Sequence, residues 1–517
     1  MTAASLTIAV ADEAAMRRLA EDIATLLARG DLVTLSGPLG AGKTTFARAL
    51  LRSIADDEAL EVPSPTYTLL QPYTLGRLTL AHIDLYRLAD PEEAIELGLE
   101  DLLSDGAVLV EWPEQGAGVL PPADLAIDIA PGEAAEARTV TFTAAPGLAG
   151  RLARSLEVRA FLDRAGYPAA RRRYLQGDAS SRTYERVDLK AFPGEVGTGS
   201  PSPKAVLMNA PTQPDGDPIY DGKPYSRVAH LAESVRPFVA IGEALRSRGY
   251  AAPAILAFDL DHGFLLLEDL GTTTVLERGV VVEERYAVAT DLLADMHAGP
   301  MPGTVALPDG STYELPPFDP GVFRIELSLY PDWFVPHATG APMPEATRED
   351  FLDAWDALWP LVEDAEMGWL LRDFHSPNLM WLAERDGLAR IGLIDYQDAL
   401  IGPTAYDLAS LLQDARVTVA ADIETRLLAR YIAARRAGDP AFDETGFRRA
   451  YALMAAQRTT KVLGIFARLN VRDGKPAYLS HLPRLADDLR RTLADPIFTD
   501  LRAFYDPALS AIDLSRS

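Results

Sequence analysis

Gly37-Pro38-Leu39-Gly40-Ala41-Gly42-Lys43-Thr44 is the stretch whose reading decides the fold of the first part of this 517-residue chain. It matches G-x-x-x-x-G-K-[ST], in which glycines let the backbone wrap around phosphates while amide hydrogens and a helix N-terminus face the negative charge. Just before it, Leu32-Val33-Thr34-Leu35 is a short apolar run that predicts a strand, and Thr44 to Ser53 predicts the helix that follows. Gly37, Gly40, Ala41, Gly42, Lys43, Thr44 and Thr45 are therefore the expected nucleotide-binding residues, with Lys43 on the β/γ-phosphates and the Thr44 hydroxyl on Mg²⁺.

Working outward, Leu78–Ile83, Ala107–Val110, Leu125–Ile129 and Thr139–Phe142 read as further strands, and this alternation with helices implies a largely parallel sheet. Two carboxylates follow apolar strands: Asp84, suited to hold Mg²⁺, and Glu111, suited to polarise an attacking water. Pro146 to Gly150 reads as a linker, after which Leu152 to Ala165 begins a new amphipathic helix.

The remainder has a different character. Strand-like pieces at Tyr184–Val187, Ala205–Met208 and Phe264–Leu267 precede a mainly helical segment, and Phe192–Pro203 reads as a hairpin insertion. Asp373 and Asn378 have the D-x-x-x-x-N spacing of a kinase catalytic loop, where the Asp accepts a hydroxyl proton and the Asn binds metal. Asp395 ends an apolar strand seventeen residues beyond Asn378, the place of a second metal ligand, and Asp407 is placed to buttress the loop. A small β-rich lobe before a large α-rich one is the outline of a protein-kinase-like fold. The expected fold class is an α/β P-loop NTPase domain (residues 1–148) followed by an α+β protein-kinase-like bilobal domain (149–517). Its N-lobe spans about 152–270 and its C-lobe about 271–517.

Composition narrows the function classes. Hydrophobic residues make up 48% and charged residues 24%, as in ordinary globular proteins. There is no cysteine, which excludes disulfides and thiolate metal sites, and seven scattered histidines do not suggest zinc. Neither a leader pattern nor an apolar stretch of about 20 residues is present, so a cytoplasmic protein with no membrane association is expected. Forty-nine basic against 75 acidic residues give a formal charge of −26, which argues against broad binding to a nucleic-acid backbone.

Three further motifs bring the first segment close to a known family. Ser64-Pro65-Thr66-Tyr67, Asp84-Leu85-Tyr86-Arg87-Leu88 and Glu111-Trp112-Pro113-Glu114 resemble the signatures of the TsaE family, the ATPase of bacterial threonylcarbamoyladenosine synthesis on tRNA. The resemblance covers roughly residues 1–145. It implies ATP hydrolysis coupled to the TsaB and TsaD proteins, tRNA being reached only indirectly, with Thr66 as the phosphate-sensing switch, Asp84 on Mg²⁺ and Glu111 supporting hydrolysis.

The second segment resembles the aminoglycoside phosphotransferase and choline kinase superfamily, with Leu371-Arg372-Asp373 in place of the usual H-G-D. Gly177 to Tyr184 and Val206 to Pro211 are similar to the corresponding stretches of the AmgK family, anomeric kinases of N-acetylmuramate and N-acetylglucosamine in peptidoglycan recycling. The resemblance implies ATP and Mg²⁺ as cofactors, ATP contacts from Ser180, Ser181 and Arg182, and a hinge at Glu268 and Leu270. Met208 stands where the phosphate-binding Lys is expected, leaving Lys204 or Arg182 to supply the charge. Glu326, Trp333 and His337 are candidate sugar contacts. Two alternatives stay open at this stage. One is a kinase of another small hydroxylated molecule (an aminoglycoside, choline or homoserine), the other a kinase-like half that serves as a non-catalytic scaffold.

Overall fold

The computed structural model describes residues 4–175, 182–189, 204–220 and 222–514. By its internal contacts the chain forms two compact units: residues 1–211 with 255–269, and residues 212–254 with 270–517.

The first unit opens with strand β1 (Ala4–Val10) and helix α1 (Glu13–Leu26), which Asp12 caps by accepting the Ala15 amide. Strand β2 (Leu32–Ser36) feeds the glycine-rich turn, and α2 (Lys43–Ala55) leaves it. Next come β3 (Leu70–Leu75), β4 (Leu78–Asp84), α3 (Leu99–Asp105), β5 (Ala107–Glu111), β6 (Leu125–Pro131) and β7 (Arg138–Ala144). The seven strands lie in the order β1-β7-β6-β2-β5-β4-β3. The four central ones, β6-β2-β5-β4, are parallel and the flanking pairings antiparallel. The expected strands and the helix after the glycine-rich turn thus form, each extended by one to three residues.

Both faces of this sheet are buried, as parallel strands require. Val33 and Leu35 pack with Phe46, Leu50 and Phe142 in one core, while Leu32, Ile83, Val108 and Val110 form the other. Aligned parallel strands place the C-terminal ends of β2, β4 and β5 together, and that end carries the glycine-rich turn, Asp84 and Glu111.

Where the sequence reads as a linker, the structure has a helix. Helix α4 runs unbroken from Pro146 to Arg164. Pro146 occupies its first turn, where a missing amide hydrogen costs nothing, so the Pro/Gly signal marked a helix start rather than a flexible connection.

Helix α4 leads into a five-stranded antiparallel sheet: β8 (Arg171–Leu175), β9 (Thr183–Asp188), β10 (Lys204–Asn209), β11 (Ile255–Asp259) and β12 (Phe264–Glu268), in the order β11-β12-β10-β9-β8. Val158, Phe161 and Leu162 of α4 pack on Val187, Leu207, Phe264 and Leu266 of this sheet.

Buried ion pairs tie α1 to edge strand β8. Arg171 donates to Glu21 at 2.7 Å, and Arg172 to both Asp22 (3.1 Å) and Glu185 (2.6 Å). Arg159 of α4 also reaches Asp22, at 2.7 Å. Glu21 and Asp22 are each 2% exposed and Arg172 is 1% exposed, so these charges depend on one another for solvation.

The second unit is mostly helical. Its longest helix, Glu444–Val471, is accompanied by Arg236–Ser247, Glu283–Ala298, Pro320–Leu329, Ala421–Gly438 and Leu482–Leu493. Two short antiparallel ribbons, Met367–Leu370 with Leu400–Pro403 and Leu379–Trp381 with Ile391–Leu393, bracket the Asp373 loop. Among the described residues, no helix is long and apolar enough to cross a membrane.

Candidate active sites

In the first site the backbone dictates the residue types. Gly37 has φ of 137°, and a Cβ there would lie 2.2 Å from the carbonyl oxygen of Ile129, so only glycine fits. Gly42 (φ 110°) caps α2 without a side-chain hydrogen bond, leaving first-turn amides to an incoming anion.

Lys43 is buried. Its Nζ donates to the carbonyls of Gly37 (2.7 Å) and Pro38 (3.1 Å) and lies 3.5 Å from the centre of the Trp112 ring. Burial lowers the Lys43 pKa, opposed by the nearby Glu111, Glu114 and Asp84 carboxylates.

Asp84 and Glu111 are paired residues on adjacent parallel strands, and both are buried. Asp84 Oδ2 accepts from Ser64 (2.7 Å) and from Thr66 (2.8 Å), while its Oδ1 accepts the Tyr86 amide. Glu111 accepts from the Thr44 hydroxyl at 3.3 Å and is hydrogen-bonded to His82 Nε2 at 2.9 Å. Thr44, Thr66, Asp84 and Glu111 are thereby joined to one strand end, with Thr45 one residue further into α2. The hydroxyl and carboxylate oxygens are the hard donors that Mg²⁺ takes. Sequence reasoning gives Ser64 no role beyond its place in a motif, and His82 none at all. The only available signal for His82 was a polar residue inside the apolar strand Leu80–Ile83.

In the second unit, Asp373 follows a turn in which Arg372 has φ of 71°. That is the position where the H-G-D pattern carries glycine. Arg372 is held there because Asp407 accepts both the Leu371 amide (2.5 Å) and the Arg372 amide (2.8 Å). Burial pushes the Asp407 pKa up to about 7 despite those two amide bonds. The Arg372 side chain donates to Glu326 and to the Ala229 carbonyl (2.8 Å).

Asn378 Nδ2 donates to the Asp373 carbonyl (3.0 Å) and to Asp395 Oδ2 (3.3 Å), and Gln397 donates to Asp395 Oδ1 (2.8 Å). Asp395 itself has φ of 60°. The ribbon Leu379–Trp381/Ile391–Leu393 brings Asn378 and Asp395 to one end, closed by the Ile394 amide donating to the Asn378 carbonyl. The Asp373 side chain stays 39% exposed, open to an incoming hydroxyl. Gln397 went unread, since a glutamine four residues past a strand carries no pattern of its own.

One expected sugar contact is corrected. Glu326 is fully buried and accepts from Arg372, Lys461 (2.7 Å) and Gln457 (2.9 Å). Although burial opposes ionisation, Lys461 and Arg372 bring its pKa down to about 2. It is an internal counter-charge behind the Asp373 loop. Trp333 and His337 are half-buried in the consecutive helical segments Tyr330–Phe334 and Val335–Thr339.

Glu268 ends β12 and Leu270 follows it, the compact units dividing after Asp269. Ser180 and Ser181 lie outside the described residues; Arg182 precedes β9 and is half-buried. Met208 is 2% exposed and pairs with Tyr184.

The family profile described as "Threonylcarbamoyl adenosine biosynthesis protein TsaE" matches residues 10–140, and that described as "Phosphotransferase enzyme family" matches residues 135–450. An N-acetylmuramate/N-acetylglucosamine kinase of Caulobacter vibrioides is 37% identical over 356 residues, 67% of this chain and 94% of its own. The tRNA threonylcarbamoyladenosine biosynthesis protein TsaE of Haemophilus influenzae is 42% identical over 131 residues, 24% of this chain and 82% of its own. Among solved structures, a choline/ethanolamine kinase family protein from Mesorhizobium loti covers 70% of this chain and 99% of its own, at 12% identity and a TM-score of 0.40.

Proposed function

Since the chain belongs to the TsaE family and to the phosphotransferase enzyme family, an ATPase joined to an ATP- and Mg²⁺-dependent kinase, we propose two functions for it. Residues 1–148 hydrolyse ATP in support of threonylcarbamoyladenosine formation on tRNA. Residues 149–517 phosphorylate the anomeric hydroxyl of N-acetylmuramate or N-acetylglucosamine during peptidoglycan recycling in the cytoplasm. The observation that carries the kinase reading is the Asp373–Asn378–Asp395 constellation, intact and braced by Asp407 and Gln397.

In the kinase, Asp373 accepts the anomeric proton as the sugar oxygen bonds to the γ-phosphorus and the bond to ADP breaks. Asn378 and Asp395 would hold Mg²⁺, which offsets the negative charge gathering on the phosphate oxygens. An anomeric hydroxyl is more acidic than an ordinary sugar alcohol, so positioning does most of the work. Phosphorus NMR of the product tests the reading: an anomeric phosphate is expected. A 6-phosphate, or turnover of an aminoglycoside but of neither amino sugar, would refute it.

The charge that Met208 lacks is assigned to Arg182. Arg182 immediately precedes β9, two residues before Tyr184, the partner of Met208. Lys204 lies four residues along β10, roughly 13 Å off. Arg182→Ala should raise the KM for ATP about tenfold or more, with Lys204→Ala near wild type; the reverse order would refute the assignment.

In the ATPase, Thr44 and Asp84 would hold Mg²⁺, with Glu111 directing water and Thr66 sensing the phosphates. Association with the TsaB and TsaD proteins is expected to appear on co-purification. With a net charge of −26, tRNA is reached through those partners. Tight, salt-sensitive tRNA binding by the isolated chain would contradict this.

A further inference from the structure

Within the first unit, a cleft of about 620 Å³ opens between the end of α1, the β3–β4 hairpin, helix α4 and the β8–β9–β10 sheet. Its wall lies on the sheet face that carries Arg172, Tyr174, Thr183, Glu185 and Asn209, opposite the face of Met208.

The charge of this wall runs against that of the chain. Five arginines line it (29, 77, 151, 154 and 172) and one glutamate, Glu185, in a protein of net charge −26. Three of the five are engaged: Arg172 by Glu185 and Asp22, Arg151 by Asp31 at 2.7 Å, and Arg154 by Glu157 at 3.3 Å and by Asn209 Oδ1 at 2.8 Å. Arg29 and Arg77 have no carboxylate partner among the described residues. Among the described residues, Arg29 bonds just the Ser104 carbonyl.

Arg77 donates to the carbonyls of Ala24 and Leu27 at the end of α1, and its guanidinium lies 4.6 Å from the centre of the Tyr174 ring. Its Nε is buried without a hydrogen-bond partner. Burial lowers its pKa, opposed by the nearby Tyr174 and Glu185. A buried donor left unpaired costs stability unless something fills it.

We propose that this cleft is a binding site for a small phosphomonoester, recognised through Arg29 and Arg77. A dianion supplies the charge those guanidiniums lack, and arginine forks match phosphate oxygens. Tyr174 offers a ring wall beside them, so sugar phosphates and nucleoside monophosphates are the two sources of such a group. The site is separate from both nucleotide sites. The P-loop is at the far, C-terminal end of β2, whereas the cleft meets the Leu26–Arg29 turn that precedes that strand.

Calorimetry on the full chain tests it, with both nucleotide sites saturated by Mg²⁺ and a non-hydrolysable ATP analogue. AMP and ribose 5-phosphate are the probes. Saturable one-to-one binding of either is expected, and Arg29→Gln and Arg77→Gln should each weaken it about tenfold or more. AMP binding much tighter than ribose 5-phosphate identifies a nucleotide site; equal affinities identify a sugar-phosphate site. Arg29 is exposed and bonds only a backbone carbonyl, so its variant retains the fold even if Arg77→Gln does not. Absence of saturable binding, or affinity unchanged in Arg29→Gln and in folded Arg77→Gln, overturns the proposal.

Discussion

Asp373→Ala is expected to lower sugar phosphorylation by about three orders of magnitude, with a much smaller effect on the KM for ATP. The loop that presents Asp373 is fixed from behind by Asp407, which grips two successive amides, and by Asn378, which bonds the Asp373 carbonyl. Truncating the carboxylate leaves that framework standing. What disappears is the acceptor for the hydroxyl proton and the group that orients the attacking oxygen. The Asp395→Ala variant provides the contrast. It removes a proposed metal ligand, so use of Mg²⁺·ATP itself should fail. Steady-state kinetics over both substrates separates the two patterns. A fall of less than about tenfold in kcat for Asp373→Ala would show that another group takes the proton.

Lys43→Ala should abolish turnover at the P-loop, by about a hundredfold or more, and leave sugar phosphorylation within about twofold of wild type. Lys43 Nζ now rests on two P-loop carbonyls above the Trp112 ring, with Asp84, Glu111 and Glu114 near enough to favour its charge. Its charge is local to that turn. ATP hydrolysis measured without sugar, and sugar-phosphate formation measured separately, read the two sites independently. Equal loss of both activities would mean that one site has been misassigned.

The parts of the fold legible in the sequence are those written in contiguous residues. The glycine-rich turn needs eight neighbours in order, and the strand before it and helix after it follow from local periodicity. The Asp373–Asn378 spacing is likewise local. Strand β3 escaped notice because Pro72 sits inside it, and proline argues against a strand unless the strand is an edge. The topology makes β3 an edge. Helix α4 was obscured by Pro146, Gly147 and Gly150, which punctuate a loop and start a helix in the same alphabet.

Long-range electrostatics was out of reach altogether. Glu326 lies on a helix whose charges look solvent-facing, yet its partners Gln457 and Lys461 are more than a hundred residues away. Arg171 and Arg172 meet acids 150 residues earlier in the chain. No window of sequence contains both ends of such a pair.

The unbroken course of α4 across the junction also bears on the lifetime of the protein. Fused enzymes are commonly clipped apart at the exposed, non-hydrogen-bonded stretch that joins them. Here that stretch is helical from Pro146 to Arg164, and its side chains Arg151 and Arg159 are bound to Asp31 and Asp22. A protease finds no extended backbone there to grip. Cleavage at this junction should therefore be slow, which favours keeping the two parts in one molecule at a ratio of one to one.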